Sequence, residues 1–88
     1  MSSIFNSKYV NYIIMNKKLR RDIIKKRLIQ EMEASGLSSA EIARRAGISA
    51  TILCQYKTTS KLPSLVVLAN LCEVIGADTN YILGITDN

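Results

Sequence analysis

The sequence predicts an all-α fold, a compact five-helix orthogonal bundle, from the spacing of its apolar residues and from where its glycines fall. Apolar residues recur every three to five positions along most of the chain, which is the period of an amphipathic helix. Glycines separate these stretches, and a serine or an aspartate stands where each later helix would begin. The chain has 88 residues, 48% of them hydrophobic and 22% charged. This composition suits one small core and is too apolar for a disordered chain.

The first predicted helix covers residues 17–35, where apolar side chains follow the helical period. Gly36 ends it, because glycine readily adopts the left-handed conformation that closes a helix. A second helix begins after Ser38, since a serine followed three residues later by a glutamate, here Glu41, forms a capping box. Gly47 ends this helix after two turns.

Three further helices are predicted in the second half of the chain, opened by Ser49, by Ser64 or the proline before it, and by Asp78. They cover residues 50–57, 64–75 and 79–83. A polar loop separates the first two, and Gly76 ends the second of the three.

Residues 1–16 do not continue the helical pattern and are interpreted as an N-terminal extension or arm. Their partly alternating apolar residues are compatible with an arm, an added strand or a longer first helix, and Met15 is an alternative start. The domain itself is predicted to occupy residues 17–88.

The residue types needed for metal, redox or acid–base chemistry are scarce. Histidine is absent and there are two cysteines, Cys54 and Cys72. A tetrahedral zinc site needs about four nitrogen or sulfur ligands, so no metal is expected. Without an imidazole base or a glycine-rich phosphate loop, we expect neither an enzyme nor a cofactor. Both cysteines are expected to be free thiols in the core or at its boundary.

No stretch of the sequence approaches the roughly 20 apolar residues that span a bilayer. The apolar run at residues 12–15 precedes positive charge instead of following it, which is the reverse of a signal peptide. We therefore expect no membrane partner and a cytoplasmic protein.

Charge is distributed unevenly along the chain. Residues 1–27 have a net charge of +7, residues 28–61 of +1 and residues 62–88 of −3. A basic end of this kind suggests a polyanionic partner, although a solvated helix face would show the same pattern.

The most informative segment is Leu37–Lys57, in which two short helices meet at a tight turn over residues 46–49. Gly47 tolerates a positive φ in this turn, and Ala43 is small enough for the helices to approach closely. Three apolar residues would form the wedge between them: Ile42, Ile48 and Leu53. The pattern is typical of a helix-turn-helix, whose second helix enters the DNA major groove. An ordinary corner between two helices is the structural alternative.

Further positions match a known family pattern, from the first predicted helix to the last: Ile24, Leu28, 36–38, Glu41, Ser49, Tyr56, 63–65, 68–69, 75–77 and 81–84. On these positions, residues 24–85 resemble the lambda-repressor-like domain of phage repressors and of Cro/CI-type (Xre-family) regulators. Three features depart from that pattern. Ser39 stands where the family usually has a phosphate-clamping glutamine, and Thr59 where a glycine is common. Met32 and Lys57 occupy the positions of a frequent arginine–glutamate pair.

The resemblance implies roles for individual residues. Base-reading residues would lie on the third helix: Ala50, Thr51 and Gln55. Phosphate-contacting residues would surround it: Ser39, Ser49, Thr58 and Lys61. Within the first group, Gln55 can pair with adenine through two hydrogen bonds, Thr51 can bond either class of base edge, and Ala50 can offer a methyl group to thymine.

Two further groups of residues have expected roles, one as a basic arm and one as a dimer contact. A basic arm ahead of the first helix, which could equally be that helix's polar face, would comprise Lys17, Lys18, Arg20 and Arg21. In lambda-like domains the C-terminal end forms a two-fold contact, which here would involve Val74, Ile75, Tyr81, Ile82 and Ile85. Those residues could instead close the core of the monomer.

The function expected from the sequence is sequence-specific DNA-binding transcription regulation, as a repressor that binds an inverted-repeat operator as a homodimer. The partner is then double-stranded DNA. The alternative is a protein-interaction module of the same fold, such as an antitoxin, with a protein partner.

Overall fold

The computed structural model describes residues 17–87, and this part of the chain forms five α-helices and no strand. The helices are α1 (Lys17–Ala34), α2 (Ser39–Ala46), α3 (Ala50–Thr58), α4 (Leu65–Ile75) and α5 (Thr79–Ile82). The all-α prediction is confirmed, with helix ends within one residue of those expected. The interpretations of residues 1–16, including Met15, lie outside the described residues.

The helix starts follow from local side-chain chemistry. Ser38, Ser49 and Ser64 each accept a hydrogen bond from the backbone N–H three residues on, and Asp78 accepts one from the N–H of Asn80. These bonds satisfy backbone donors that have no partner within the helix. The structure therefore confirms the caps predicted at Ser38, Ser49 and Asp78, and of the two candidates at the start of α4 it shows Ser64.

The core is built from one side of each helix, and its residues are Leu28, Met32, Ile42, Ala43, Ala46, Leu53, Tyr56, Leu68, Leu71, Cys72 and Ile82. Met32 is buried, and the described part of the core contains no polar or charged residue, so no unpaired charge is left there. Burying a Leu-sized side chain stabilises a fold by about 1.5–3 kcal/mol. The core thus holds α2 and α3 against α1 and α4.

Two arginines of α1 hold the C-terminal segment on the outside of this core. Arg20 donates to the carbonyl of Leu83 at 2.8 Å, and Arg27 donates to the carbonyls of Tyr81 at 2.6 Å and Thr86 at 2.8 Å. The Arg27 guanidinium also lies over the Tyr81 ring, 4.3 Å from its centroid. Part of the basic charge of α1 therefore binds backbone carbonyls of the chain itself.

The two cysteines differ in environment. Cys72 is buried in the core, as expected, whereas Cys54 is exposed, so its assignment to the core or its boundary was wrong. The reason is helical position: Cys54 follows the buried Leu53 by one residue, a rotation of about 100° around α3.

Within residues 17–87, the helices are too short or too polar to cross a membrane.

Candidate nucleic-acid interface

The turn between α2 and α3 sets the position of the candidate recognition helix. Gly47 has φ 76°, and its N–H bonds to the carbonyl of Arg44 while that of Ile48 bonds to Ala43. This left-handed closure satisfies carbonyls at the end of α2 and redirects the chain within three residues. Ala43 is 2% exposed, which fits its predicted role as a small residue at the helix contact.

Helix α3 has one buried side and one side open to solvent. Leu53 and Tyr56 face the core. The opposite side, called here the α3 face, comprises the exposed Ala50, Thr51, Cys54 and Thr58 and the half-buried Gln55. These positions differ by one, three or four residues, so they form a single stripe along the helix. The predicted base-reading residues therefore share one accessible face, and Cys54 lies between them.

Gln55 occupies the C-terminal half of the α3 face in a defined hydrogen-bonding environment. Its side-chain Oε1 accepts a bond from Lys61 Nζ at 3.3 Å. Its backbone carbonyl accepts bonds from the N–H and the hydroxyl of Thr59, at 3.0 and 2.6 Å. Gln55 is therefore connected to the loop that follows α3, a connection that the sequence did not reveal.

That loop is anchored by the basic side of α1. Lys25 Nζ donates to the carbonyls of Tyr56 and Lys61, and Arg21 donates to the carbonyl of Ser60 at 2.9 Å. Partial burial and the nearby charge of Arg21 lower the pKa of Lys25. Sequence reasoning missed this role of Lys25. The spacing of Lys25 four residues after Arg21 places both on one side of α1, but it does not show what that side contacts.

The start of α2 and the end of α3 are connected at the surface. Lys57 Nζ donates to Ser39 Oγ at 2.9 Å. A helix N-terminus carries partial positive charge and free N–H groups, and here it is joined by a lysine ammonium. Ser39 and Lys57, two positions where the sequence departs from the pattern it resembles, form a pair in this structure.

The exposed face of α2 carries three charges that largely neutralise one another. Glu41 accepts bonds from Arg44 and from Arg45, the latter at 2.6 Å. These hydrogen bonds lower the pKa of Glu41 to about 2, with Arg44 as the larger cause. Glu41 therefore stays ionised at neutral pH, and the three residues together contribute a single positive charge.

The two remaining phosphate candidates differ in the proton they can offer. Ser49 Oγ accepts from the N–H of Ile52, so its own hydroxyl proton remains available. The Thr58 hydroxyl donates to the carbonyl of Cys54 at 2.8 Å, so it would have to give up that bond before donating to a phosphate.

The four residues proposed for a basic arm, Lys17, Lys18, Arg20 and Arg21, all lie within α1. Lys18 pairs with Asp22 at 3.4 Å, with both side chains mostly exposed. Three of them are exposed, and Arg20 is half-buried against the C-terminal segment.

The proposed dimer residues do not form a uniformly exposed surface. Ile82 is 0% exposed within the monomer, so its assignment to an interface was wrong: it closes the core beneath α5. Val74, Ile75 and Tyr81 are half-buried, and Ile85 is 60% exposed. Leu65 and Val66, at the start of α4, are 81% and 71% exposed and were not singled out from the sequence.

An open hollow of about 320 Å³ between α1 and α5 is lined by Ile23, Lys26, Arg27, Gln30 and Tyr81. Residues 17–87 contain no group of three or more side chains suited to hold a metal ion.

Comparisons of the chain with protein-family models, with curated proteins and with solved structures found no significant match.

Proposed function

We propose that this protein is a sequence-specific DNA-binding transcription regulator with a lambda-repressor-like helix-turn-helix in a five-helix orthogonal bundle. The observation that supports this most is the α3 face, a solvent-open stripe of small and polar side chains. It lies on a helix held rigidly by the turn at Gly47 and by the buried Leu53 and Tyr56. A helix presented in this way fits the major groove of DNA.

In the proposed complex, α3 enters the major groove with Ala50 and Thr51 near its N-terminal end and Gln55 one turn further on. Ser39 and Ser49 donate their hydroxyl protons to phosphates on either side, assisted by the N-terminal end of α2. These phosphate contacts orient the protein, and the base contacts supply the sequence preference.

The charges around α3 suit a polyanionic partner. Lys57, Lys61, Arg21 and Lys25 surround the end of α3 and the loop after it, whereas Glu41 is neutralised by two arginines. Each phosphate neutralised by a lysine or arginine releases counterions from DNA, so binding should weaken as salt rises.

The proposed regulator binds as a homodimer and represses transcription by covering a promoter, with no enzymatic step, metal or cofactor. Two-fold pairing would use Ile85 and the half-buried Val74, Ile75 and Tyr81. It would place two copies of α3 about one turn of DNA apart (~34 Å), which requires an inverted-repeat site. Such a regulator acts in the cytoplasm, where its DNA is located.

Selection from a random duplex pool at roughly physiological salt tests this proposal. An enriched inverted repeat with half-sites about 10 base pairs apart is the expected result. If duplexes are retained without any preferred sequence and are released as salt rises, only phosphate contacts are made and the proposal fails.

A second candidate function, a protein-interaction module, is favoured by the exposure of Leu65 and Val66. Two adjacent apolar side chains left in water at a helix start suit a protein partner better than DNA. Replacing both with polar residues distinguishes the candidates: a DNA-binding monomer would keep its affinity for a half-site, and an interaction module would lose its partner.

A further inference from the structure

The contact between Gln55 and Lys61 determines which hydrogen-bonding groups the α3 face offers. Lys61 Nζ lies 3.3 Å from Gln55 Oε1. An ammonium group can only donate, so the amide oxygen must be the atom that faces it. The amide NH2 of Gln55 is then free for another partner, beside the remaining N–H groups of Lys61. The pair therefore presents mainly hydrogen-bond donors, because Lys61 already occupies one of the two lone pairs of the amide oxygen.

The backbone of Lys61 is fixed in this position. Its N–H donates to the hydroxyl of Thr59 at 3.1 Å, and that hydroxyl itself donates to the carbonyl of Gln55. The carbonyl of Lys61 accepts a bond from Lys25. Both the N–H and the carbonyl of Lys61 are thus hydrogen-bonded. Thr59, which stands where the resembled pattern has a glycine, links the loop directly to Gln55.

Two neighbouring hydrogen-bond donors on a protein can distinguish between bases in the major groove. Guanine presents two neighbouring acceptors there, O6 and N7, whereas adenine presents the N7 acceptor beside the N6 amino donor. A glutamine alone matches adenine because its amide offers one donor and one acceptor. With the amide oxygen facing Lys61, the N6 amino group of an adenine would face the ammonium, so two donors would meet. The N4 amino group of a cytosine would meet the ammonium in the same way.

We propose that Gln55 and Lys61 together read one guanine in each half-site. This inference rests on the proposed function and deepens it by naming the base. Lys61 becomes a specificity-determining residue instead of a phosphate contact, and Gln55 pairs with guanine instead of adenine.

The test compares the sequence preferences of four proteins selected from the same random duplex pool: the wild type, Gln55→Ala, Lys61→Met and Lys57→Met. Lys61→Met keeps the length of the side chain and removes its donors. Lys57→Met is the matched control, because it removes the same charge from a lysine that contacts Ser39 instead of Gln55. Affinity is then measured for duplexes that differ only at the affected position.

The expected result is a wild-type guanine preference at one position of each half-site, lost in both Gln55→Ala and Lys61→Met and retained in Lys57→Met. Replacing that guanine with adenine should weaken wild-type binding about tenfold or more and should affect Lys61→Met much less. Loss of affinity for a duplex with 7-deazaguanine at that position would support the same contact, because this base lacks the N7 acceptor.

Two results would overturn the inference and leave the proposed function standing. One is an adenine preference that depends on Gln55 and is unchanged in Lys61→Met. The other is a Lys61→Met protein that binds all duplexes more weakly by the same factor, which is the behaviour of a phosphate contact. A wild-type protein that enriches no sequence would instead reject the proposed function, and the inference with it.

Discussion

At the scale of single residues, hydrogen-bond partners decide what each polar side chain can do for a ligand. Ser49 and Thr58 are hydroxyl residues at the two ends of α3, but the Ser49 hydroxyl proton is available whereas the Thr58 hydroxyl donates a hydrogen bond to the backbone carbonyl of Cys54. The side-chain oxygen of Gln55 likewise accepts a hydrogen bond from Lys61. The capacity to read a base or bind a phosphate therefore depends on which neighbour, three to six residues away along the chain, already occupies the side chain.

Replacing Gln55 with alanine should reduce affinity for the preferred duplex by about 1–3 kcal/mol and relax specificity at one base position. The reason is the loss of the amide donors from the α3 face. Titration of a labelled duplex by fluorescence anisotropy measures the effect, and Gln30→Ala, on the exposed side of α1, is the matched control. An unchanged sequence preference in the Gln55 variant would mean that the recognition face has been assigned wrongly.

The ion pairs of Glu41 should give a stability contribution that depends on pH. Because the folded-state pKa is lowered to about 2 from an ordinary value near 4.5, the contribution is present above the ordinary pKa. It is lost as pH falls from there through about 2. The melting temperature of Glu41→Gln should therefore lie below that of the wild type at neutral pH and approach it near pH 2. A difference that stays constant over this range would show that the carboxylate charge does not stabilise α2.

At the scale of elements, each helix is specified by local chemistry, but the contacts between elements are not. Capping serines, the left-handed glycine at position 47 and the helical spacing of apolar residues are properties of short segments, so the five helices could be predicted from the sequence. The anchoring of the α3–α4 loop by Lys25 could not, since it depends on how α1 crosses the end of α3. A lysine on a helix looks the same in sequence whether it binds a carbonyl or faces water.

The two wrong assignments have the same kind of cause. Cys54 was assigned to the core or its boundary, and Ile82 to the two-fold contact that the resemblance implies, but burial depends on which side of a helix a residue occupies. In α5, which has only four residues, the apolar pattern is too short to define a buried side. Ile82 faces the core and Ile85, three residues later and beyond the helix end, faces water.

The position of Cys54 on the α3 face provides a direct probe of the interface. Maleimide should modify Cys54 in the free protein, and the preferred duplex should slow that reaction because α3 is then covered. Cys72, which is 4% exposed, serves as the internal control and should react slowly in both states. Mass spectrometry after a timed reaction gives both rates. Equal modification of Cys54 with and without bound duplex would place DNA on another surface.

At the scale of the whole molecule, α1 holds two separate parts of the chain: the loop after α3 and the C-terminal segment. One of its sides holds the loop after α3 through Arg21 and Lys25, and another holds the C-terminal segment through Arg20 and Arg27. Basic residues on both sides of α1 therefore bind carbonyl groups of the chain itself, and the side with Arg21 and Lys25 also lies next to the proposed DNA surface. Charge composition predicted a polyanionic partner, but only the fold shows which basic residues lie near α3.

Arg27 should be important for the stability of the whole domain, since it binds two carbonyls and covers the Tyr81 ring. Hydrogen bonds to a charged group contribute about 1.5–3 kcal/mol, so Arg27→Met should lower the free energy of unfolding by about 2 kcal/mol. Chemical denaturation measures this value, with Lys26→Met, an exposed neighbour, as the control. Equal stability of the two variants would show that the C-terminal segment is held by its apolar contacts alone.

The central claim, that this fold reads DNA sequence through α3, is tested most directly by comparing two duplexes of equal length and composition. One carries the sequence selected by the protein, and the other carries the same bases in shuffled order. The dissociation constants should differ by about 10³ or more at roughly physiological salt, and both should rise as salt increases. Equal dissociation constants for the two duplexes at every salt concentration would contradict the claim, because they would leave only contacts to the phosphate backbone.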